Sequence, residues 1–210
     1  MIGSELLRYK PDQLYAVVDV ESEGLNLATS RPWQLACAIG TLKQIQTNIV
    51  RHINWPNLHV SEAAARVTRF NMGYHLKIAE PPETIVADFD EVLYDPNILI
   101  VGHNILGFDI YLLDMMRRLT GRKQDWSFLP RIIDTNALMK AYKKGFVPTG
   151  DRLTFMYKAL HYREKGLKSS LGFCCRDFGI PYDERRAHDA AYDIGVNFAV
   201  LEKLIWSVEI

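Results

Sequence analysis

The sequence predicts an α/β fold in which a mixed β-sheet is flanked by α-helices. Three β-rich segments come first, and strands then alternate with helical segments. Short polar turns between strands favour antiparallel pairing, whereas strand–helix–strand alternation favours parallel pairing. The chain has 210 residues, 48% of them hydrophobic and 24% charged, which is typical of a globular protein with one sizeable core. We therefore expect a single domain over residues 13–210, preceded by a short N-terminal arm over residues 1–12.

Five segments carry strand signals. The first three are rich in β-branched and aromatic residues and are separated by short polar turns, so we expect them to pair antiparallel. The fourth is continuously apolar, which is typical of a strand buried on both faces. In chain order the predicted strands are LYAVVDV (14–20), WQLACAIGTL (33–42), IQTNIVRHIN (45–54), NILIVGHN (97–104) and RIIDT (131–135).

Seven further segments are predicted to be helices. Ser61 is a good N-cap for the first of them, and Pro82 suits the first turn of the second. Ile85, Phe89 and Val92 recur at helical spacing and predict one buried face. The predicted helices are SEAAARVTRF (61–70), PPETIVADFDEVLYD (81–95), FDIYLLDMMRRLT (108–120), NALMKAYKK (136–144), DRLTFMYKALHY (151–162), KSSLGFCCRDFG (168–179) and DAAYDIGVNFAVLEKLIW (189–206).

Cysteine content and hydropathy predict a location inside the cell. Cys37, Cys174 and Cys175 form no CxxC motif, so we expect three buried packing residues in a reduced protein. No apolar run reaches the roughly 18 residues that cross a membrane. The N-terminal segment lacks the apolar stretch of a secretory signal. We therefore expect a cytoplasmic protein without a membrane partner.

Four acidic residues lie on faces that the apolar pattern assigns to the core. Asp19 and Glu21 share one face at the end of the first strand, and Asp109 and Asp193 belong to the apolar stripes of two helices. Burying one unpaired carboxylate is costly, but four become reasonable if they converge on cations. Oxygen ligands suit Mg²⁺ or Mn²⁺ rather than Zn²⁺. Two such ions roughly 4 Å apart would suit hydrolysis of a phosphodiester.

The other acids considered on the same basis are predicted to be solvated. On their helices they lie off the apolar face, where a carboxylate keeps its water. These acids are Asp88, Asp90, Glu91, Asp114 and Glu202.

His188 is the candidate general base. It precedes Asp193 by five residues, which is about 500° of helix, so both can share a site only if His188 lies on a loop before the helix. Asp189, a good N-cap residue, is consistent with a helix that begins there. An imidazole beside a metal site can accept a proton from an attacking water. We expect the other five histidines, His103 among them, to be exposed or structural.

Positive charge is concentrated in one part of a chain whose net charge is zero. Residues 115–190 hold 16 of the 25 Lys and Arg but only 8 of the 25 Asp and Glu. Such a segment can present a cationic surface to phosphate, although solvated helix faces explain it as well. The candidate phosphate-binding residues are Lys140, Lys143, Lys144, Arg163, Lys165 and Lys168.

Three motifs together resemble those of a known family. VDVESEGL (18–25) is similar to D-x-E-[T/S]-x-G-L, and VGHNILGFDIYLL (101–113) is similar to H-N-x-x-F-D with one residue inserted. HDAAYD (188–193) is similar to H-x-A-x-x-D. In this order they resemble the DnaQ-like, DEDDh-type 3′→5′ exonucleases, such as the proofreading exonucleases of the DNA polymerase III epsilon type. The tyrosine branch of that family would need Tyr where this chain has Asp189.

The resemblance implies a ribonuclease H-like fold and two sets of site residues. The implied ligands of two Mg²⁺ or Mn²⁺ ions are Asp19, Glu21, Asp109 and Asp193, with His188 as the general base. The residues implied for binding the 3′-terminal nucleotide are Ser22, Leu25, Asn104 and Phe108, of which Asn104 would brace the second motif.

The predicted activity is removal of nucleotides from the 3′ end of single-stranded DNA, with release of 5′-mononucleotides. RNA or short-oligonucleotide trimming is the alternative within the family, since selectivity for RNA depends on a contact to the 2′-OH. The alternative of another class is a non-catalytic module that binds nucleic acid or a polymerase. Because this sequence holds no polymerase domain, proofreading would require a DNA polymerase as partner.

Overall fold

The computed structural model of the protein describes residues 6–210, and its five strands form one mixed sheet. Its strand order is β3-β2-β1-β4-β5. The bounds are β1 Leu14–Ser22, β2 Pro32–Thr41, β3 Gln44–His52, β4 Ile98–Gly102 and β5 Ile132–Asp134. As predicted, β1, β2 and β3 pair antiparallel. β4 runs parallel to both β1 and β5, which confirms the predicted mixed sheet.

Eight α-helices flank this sheet among the described residues. They are α1 Glu62–Thr68, α2 Met72–Ile78, α3 Pro82–Leu93, α4 Asp109–Leu119, α5 Thr135–Lys144, α6 Arg152–His161, α7 Leu171–Phe178 and α8 Ala190–Ser207. The sequence did not predict α2, whose residues are mostly exposed and therefore carry little apolar periodicity. None of these helices combines the length and apolar character that crossing a membrane requires. The α/β fold class is confirmed.

β1 lies at the centre of the core. Tyr15, Ala16, Val17 and Val18 are each at most 1% exposed, because β2 and β4 cover the two edges of β1 and helices cover its faces. α8 packs against both β1 and β2, and α4 also contacts β1. The three cysteines are buried, as predicted. β1, which carries the predicted site acids Asp19 and Glu21, is therefore held rigidly by the core.

The described part of the predicted arm packs against the end of the chain. Leu7 is 1% exposed, and its N–H donates to the carbonyl of Ile210 at 2.8 Å. Arg8 pairs with Glu209 at 2.7 Å. Residues 1–5 lie outside the described residues, and the division into an arm (1–12) and a domain (13–210) stays a prediction.

Two of the acids predicted to be solvated are held by cations instead. Asp114 is 8% exposed and accepts a hydrogen bond from Arg118 at 2.8 Å, while Asp90 pairs with Arg117 and Arg122. The prediction considered each helix alone, but packing of α3 against α4 brings Arg117 to Asp90. Both carboxylates are thus satisfied by guanidinium groups, away from the predicted site.

Candidate active site

The carboxyl ends of three parallel strands meet at one edge of the sheet. β1 carries Asp19 and Glu21 near this end, β4 is followed by His103, and β5 ends at Asp134. β1 pairs antiparallel with β2 on one side and parallel with β4 on the other, so the sheet changes direction here. In α/β sheets such an edge is where ligands commonly bind. The predicted acids of the first strand therefore lie at a typical ligand site.

Asp109 reaches the same edge as the first residue of α4. It is 4% exposed, and its Oδ1 accepts the N–H of Val20 at 3.1 Å. The hydrogen bond ties the start of α4 to β1, between the positions of Asp19 and Glu21. The inserted residue in the second motif is accommodated by a single helical turn over Ile105–Gly107.

Asp193 and His188 arrive together at the start of α8. Asp193 lies in the first turn, and its Oδ2 accepts the backbone N–H of His188 at 2.8 Å. Its other oxygen, Oδ1, is buried with no hydrogen-bond partner among the described residues. As predicted, His188 precedes the helix; its φ of 62° is left-handed, and its side chain lies at the surface of the two cavities described below. The backbone thus folds back so that both residues face one site.

The electrostatics show that the four acids are neighbours. Burial, with a smaller contribution from the charge of Asp193, raises the pKa of Asp19 to about 7. Burial and then the charges of Asp19 and Asp109 raise the pKa of Glu21 to about 9. Burial and the charge of Asp19 also raise the pKa of Asp109, and burial raises that of Asp193. Ionising all four carboxyls at this edge is therefore unfavourable unless positive charge is supplied.

The donor chemistry fits hard cations. All four groups are carboxylates, and the unpartnered Oδ1 of Asp193 is an acceptor without a donor among the described residues. Among residues 6–210, however, no three acidic, histidine or cysteine side chains already stand as a metal-holding group. Repulsion between ionised carboxylates disfavours such a grouping, and a bound cation offsets that repulsion.

A cavity of about 660 Å³ opens beside the acids. One wall is the start of α1, with Ala63, Ala64 and Val67, and the lining is mostly apolar. All four predicted substrate-binding residues line it, together with three of the acids. The lining includes Asp19, Glu21, Asp109, Ser22, Leu25, Asn104, Phe108, His103 and His188.

The predicted substrate-binding residues differ in how they are held. Leu25 is 87% exposed at the cavity mouth, whereas Ser22 is buried and its hydroxyl donates to the carbonyl of Gly24 at 2.7 Å. Asn104 has a left-handed backbone, with φ of 68°, and its N–H donates to Asp134. Phe108 packs against the core at the start of α4. The cavity thus combines exposed apolar side chains, those of Leu25 and Val67, with braced residues.

Sequence reasoning missed His103 and Asp134 at this site and expected Asp189 only as an N-cap. His103 lines the cavity beside Asp19, and burial lowers its pKa to about 4. Asp134 is fully buried and holds the loop that follows β4. Asp189 occupies the N-cap position of α8, but its side chain makes no capping bond and lies 3.6 Å from Arg186. His103 and Asp134 could have been found from their positions at the carboxyl ends of β4 and β5.

Most of the predicted phosphate-binding cations are engaged elsewhere, so that prediction was too broad. Lys140 is 7% exposed and donates to the carbonyl of Leu160, because α5 packs on α6. Lys143 pairs with Asp177 and Lys144 with Glu164, while Arg163 donates to Leu160. Lys165 and Lys168 have exposed side chains without an ion pair in the described part of the chain.

The fold and the acids at the sheet edge define a DnaQ-like domain of the DEDDh type. The family model described as exonuclease (RNase T) matches residues 16–201. The chain belongs to this exonuclease family, and the predicted resemblance is confirmed.

Solved structures agree with this assignment of the fold. The chain is similar to E. coli exonuclease I in complex with a dT13 oligonucleotide, with a TM-score of 0.73 at 16% identity over 93% of this chain and 41% of that one. The complex with dA16 has a TM-score of 0.72 at 17% identity, over 92% of this chain and 42% of that one. A zinc-bound E. coli exonuclease I complex with single-stranded DNA has a TM-score of 0.71 at 16% identity, over 90% of this chain and 40% of that one. The chain thus spans about two fifths of the length of these proteins. A search of curated proteins finds no match.

Proposed function

We propose that this domain is a metal-dependent 3′→5′ exonuclease that acts on single-stranded DNA and releases 5′-mononucleotides. The observation that carries the proposal is the cluster of Asp19, Glu21, Asp109 and Asp193 beside an apolar cavity. Holding these carboxylates partly out of water and near one another costs free energy, as their raised pKa values show, and bound cations would offset that cost.

The four acids would hold two Mg²⁺ ions, for which Mn²⁺ could substitute. When bound, such ions lower the pKa of a water molecule and stabilise the leaving oxygen of a phosphodiester. Backbone N–H groups of Val20 and His188 fix one oxygen each of Asp109 and Asp193, leaving the others available. The imidazole of His188, on the loop before α8, would accept the proton of the attacking water.

The apolar cavity would take the 3′-terminal nucleoside. Leu25 at the mouth and Val67 on the α1 wall can pack on a base without reading its identity. Phe108 would support the same base, and Ser22 and Asn104 supply polar groups at the inner end. DNA is preferred as substrate because the fold is shared with E. coli exonuclease I, which was solved with dT13 and dA16. A polymerase partner stays a prediction from the sequence.

The test is Mg²⁺-dependent shortening of a 5′-labelled oligo(dT) by the purified protein, with EDTA as control. Asp19→Asn should lose the activity, because a proposed cation ligand is removed, whereas Asp12→Asn alters an exposed acid outside the site and should keep it. His188→Gln should lower kcat by about 10²- to 10⁴-fold, as expected for loss of a general base.

Matched RNA and 3′-blocked strands complete the experiment. Equal or faster degradation of RNA would overturn the DNA preference, and degradation of a 3′-blocked strand would overturn the polarity. Full activity of Asp19→Asn would overturn the metal assignment. Binding of oligo(dT) with no cleavage under any divalent cation would favour the non-catalytic module instead.

A further inference from the structure

A second cavity, of about 380 Å³, adjoins the same acids on the side of α7. It shares Asp19, His103 and His188 with the first cavity, and its own walls come from the start of α7, Tyr182 and Asp193. A phosphodiester at the acids has a terminal nucleoside on one side and the rest of the strand on the other. If the first cavity takes the terminal nucleoside, the second lies where the strand continues.

One aromatic ring in the wall of this second cavity contacts two cations. Phe173 and Arg176 line it, and the Cζ atom of Arg176 lies 4.4 Å from the centroid of the Phe173 ring. The Nζ atom of Lys168 lies 4.7 Å from the same centroid. Cation–π contacts of this kind position a charge without neutralising it.

Neither cation has an acidic partner in the described part of the chain. The side chains of Lys168 and Arg176 are exposed and make no ion pair or hydrogen bond there, in contrast to the nearby Lys143, which pairs with Asp177. The one carboxylate in the cavity wall besides the site acids is that of Glu184. Two like charges beside one ring repel each other, and a bound anion offsets that repulsion.

We propose that Lys168, Phe173 and Arg176 form a subsite for the backbone phosphate next upstream of the scissile one; this rests on the proposed function. Arg176 can bind two phosphate oxygens at once, and Lys168 adds a point charge. Phe173 is a positioning residue, because its ring lines the cavity and contacts both cations. The subsite would explain how a chain of zero net charge retains a polyanion beside four acids.

The first measurement is binding of labelled oligo(dT) as a function of salt, in an Asp19→Asn background that does not cleave. Adding Lys168→Gln with Arg176→Gln should weaken binding about tenfold and reduce the magnitude of the slope of log K against log salt by about 0.7, the value for one lost phosphate contact. The control pair Lys123→Gln with Lys158→Gln removes the same charge from exposed positions elsewhere and should leave the slope unchanged. Phe173→Leu keeps both charges, so it should weaken binding while the slope stays close to that of the parent.

The second measurement compares two substrates in the otherwise native protein. TpT has only the scissile phosphate, whereas TpTpT also has the next one upstream. The Lys168→Gln, Arg176→Gln protein should cleave TpT as the parent does, and its KM for TpTpT should rise about tenfold, in line with the loss of charge-assisted phosphate contacts. An unchanged salt slope, or an equal loss on both substrates, would overturn the subsite and leave the two cations as solvated surface groups. Absence of cleavage by the parent would instead overturn the proposed function, whatever the binding slopes show.

Discussion

Asp134 shows how one buried carboxylate can organise a site without belonging to its candidate ligands. It is 0% exposed, and it accepts four backbone N–H groups at 3.0 to 3.1 Å, those of Asn104, Leu106, Asn136 and Ala137. Two of these donors cap α5, and two belong to the loop that leads to Asp109. Asp134 therefore joins the end of β5 to the second sequence motif.

Asp134→Ala should be far more costly than loss of an ordinary helix cap. Four N–H groups would lose their acceptor inside the protein, so we expect a loss of about 3 kcal/mol or more in the free energy of unfolding. Asp151→Ala removes an exposed cap of α6 and should cost about 1 kcal/mol. Urea denaturation of both variants at neutral pH measures the difference, and equal losses would contradict the role assigned to Asp134.

His52 and His75 form a buried pair that should make stability depend on pH. Their Nδ1 atoms lie 3.2 Å apart, and both rings pack on Trp33. Burial, and next the charge of His75, lowers the pKa of His52 to about 4, and burial also lowers that of His75. The folded protein therefore keeps these rings neutral in a range where the unfolded chain binds protons.

Because the folded-state pKa of His52 is lowered, its contribution to stability is complete above about pH 6.5 and is lost as the pH falls towards 4. We expect this residue to account for about 2 kcal/mol of the acid-induced loss. Chemical denaturation across that range should show a shallower pH dependence for His52→Gln. His161→Gln removes an exposed histidine and should keep the parental slope. Parallel pH curves for His52→Gln and the parent would contradict the prediction.

At the scale of elements, the sequence predicted every strand and every α-helix except α2. β4 was predicted as a strand buried on both faces from its continuous apolar run, and all five of its residues are buried. α2 was missed because its only buried residue is His75, so no apolar stripe marks it. Local pattern therefore predicts elements that pack against a core through an apolar face, and it misses those held by one polar side chain.

Two glycines in helices should respond oppositely to alanine. Gly195 lies inside α8, where an added Cβ would meet no neighbouring atom within 4 Å, so Gly195→Ala should stabilise the fold by about 0.5 to 1 kcal/mol. Gly172 in α7 would place the same methyl group 2.9 Å from the ring of Tyr182, so Gly172→Ala should destabilise the fold by about 1 kcal/mol. Thermal unfolding compares the two, and a shift of the same sign in both would contradict the contacts assigned to these helices.

At the scale of the whole molecule, the acid cluster should couple stability to divalent cations. A ligand that binds only the folded state at one hundred times its Kd stabilises by about 2.7 kcal/mol. For a chain of this size that raises Tm by about 5 to 10 °C. We expect Mg²⁺ to produce such a shift in the parent and in Asp12→Asn, and a much smaller one in Asp193→Asn. If calorimetry gave the same small Tm shift with Mg²⁺ in all three proteins, the acid cluster would not be the site at which the cation binds.

The sequence by itself determined the fold class, the family and the positions of the four acids and His188. It could do so because strand alternation, helical periodicity and short motifs are local properties of the chain, and because a carboxylate on an apolar face is a conflict that can be recognised without coordinates.

Only the tertiary structure decided which polar groups share a neighbourhood. It brought Asp134 under the loop of Asn104, placed His103 between two cavities, and tied three lysines of the basic segment to carbonyls and acids, namely Lys140, Lys143 and Lys144. It also left Lys168 and Arg176 free on one ring within the described residues. These contacts join residues far apart in the chain, so no local pattern encodes them; they exist because packing of helices on the sheet determines which charges are paired and which remain available to a substrate.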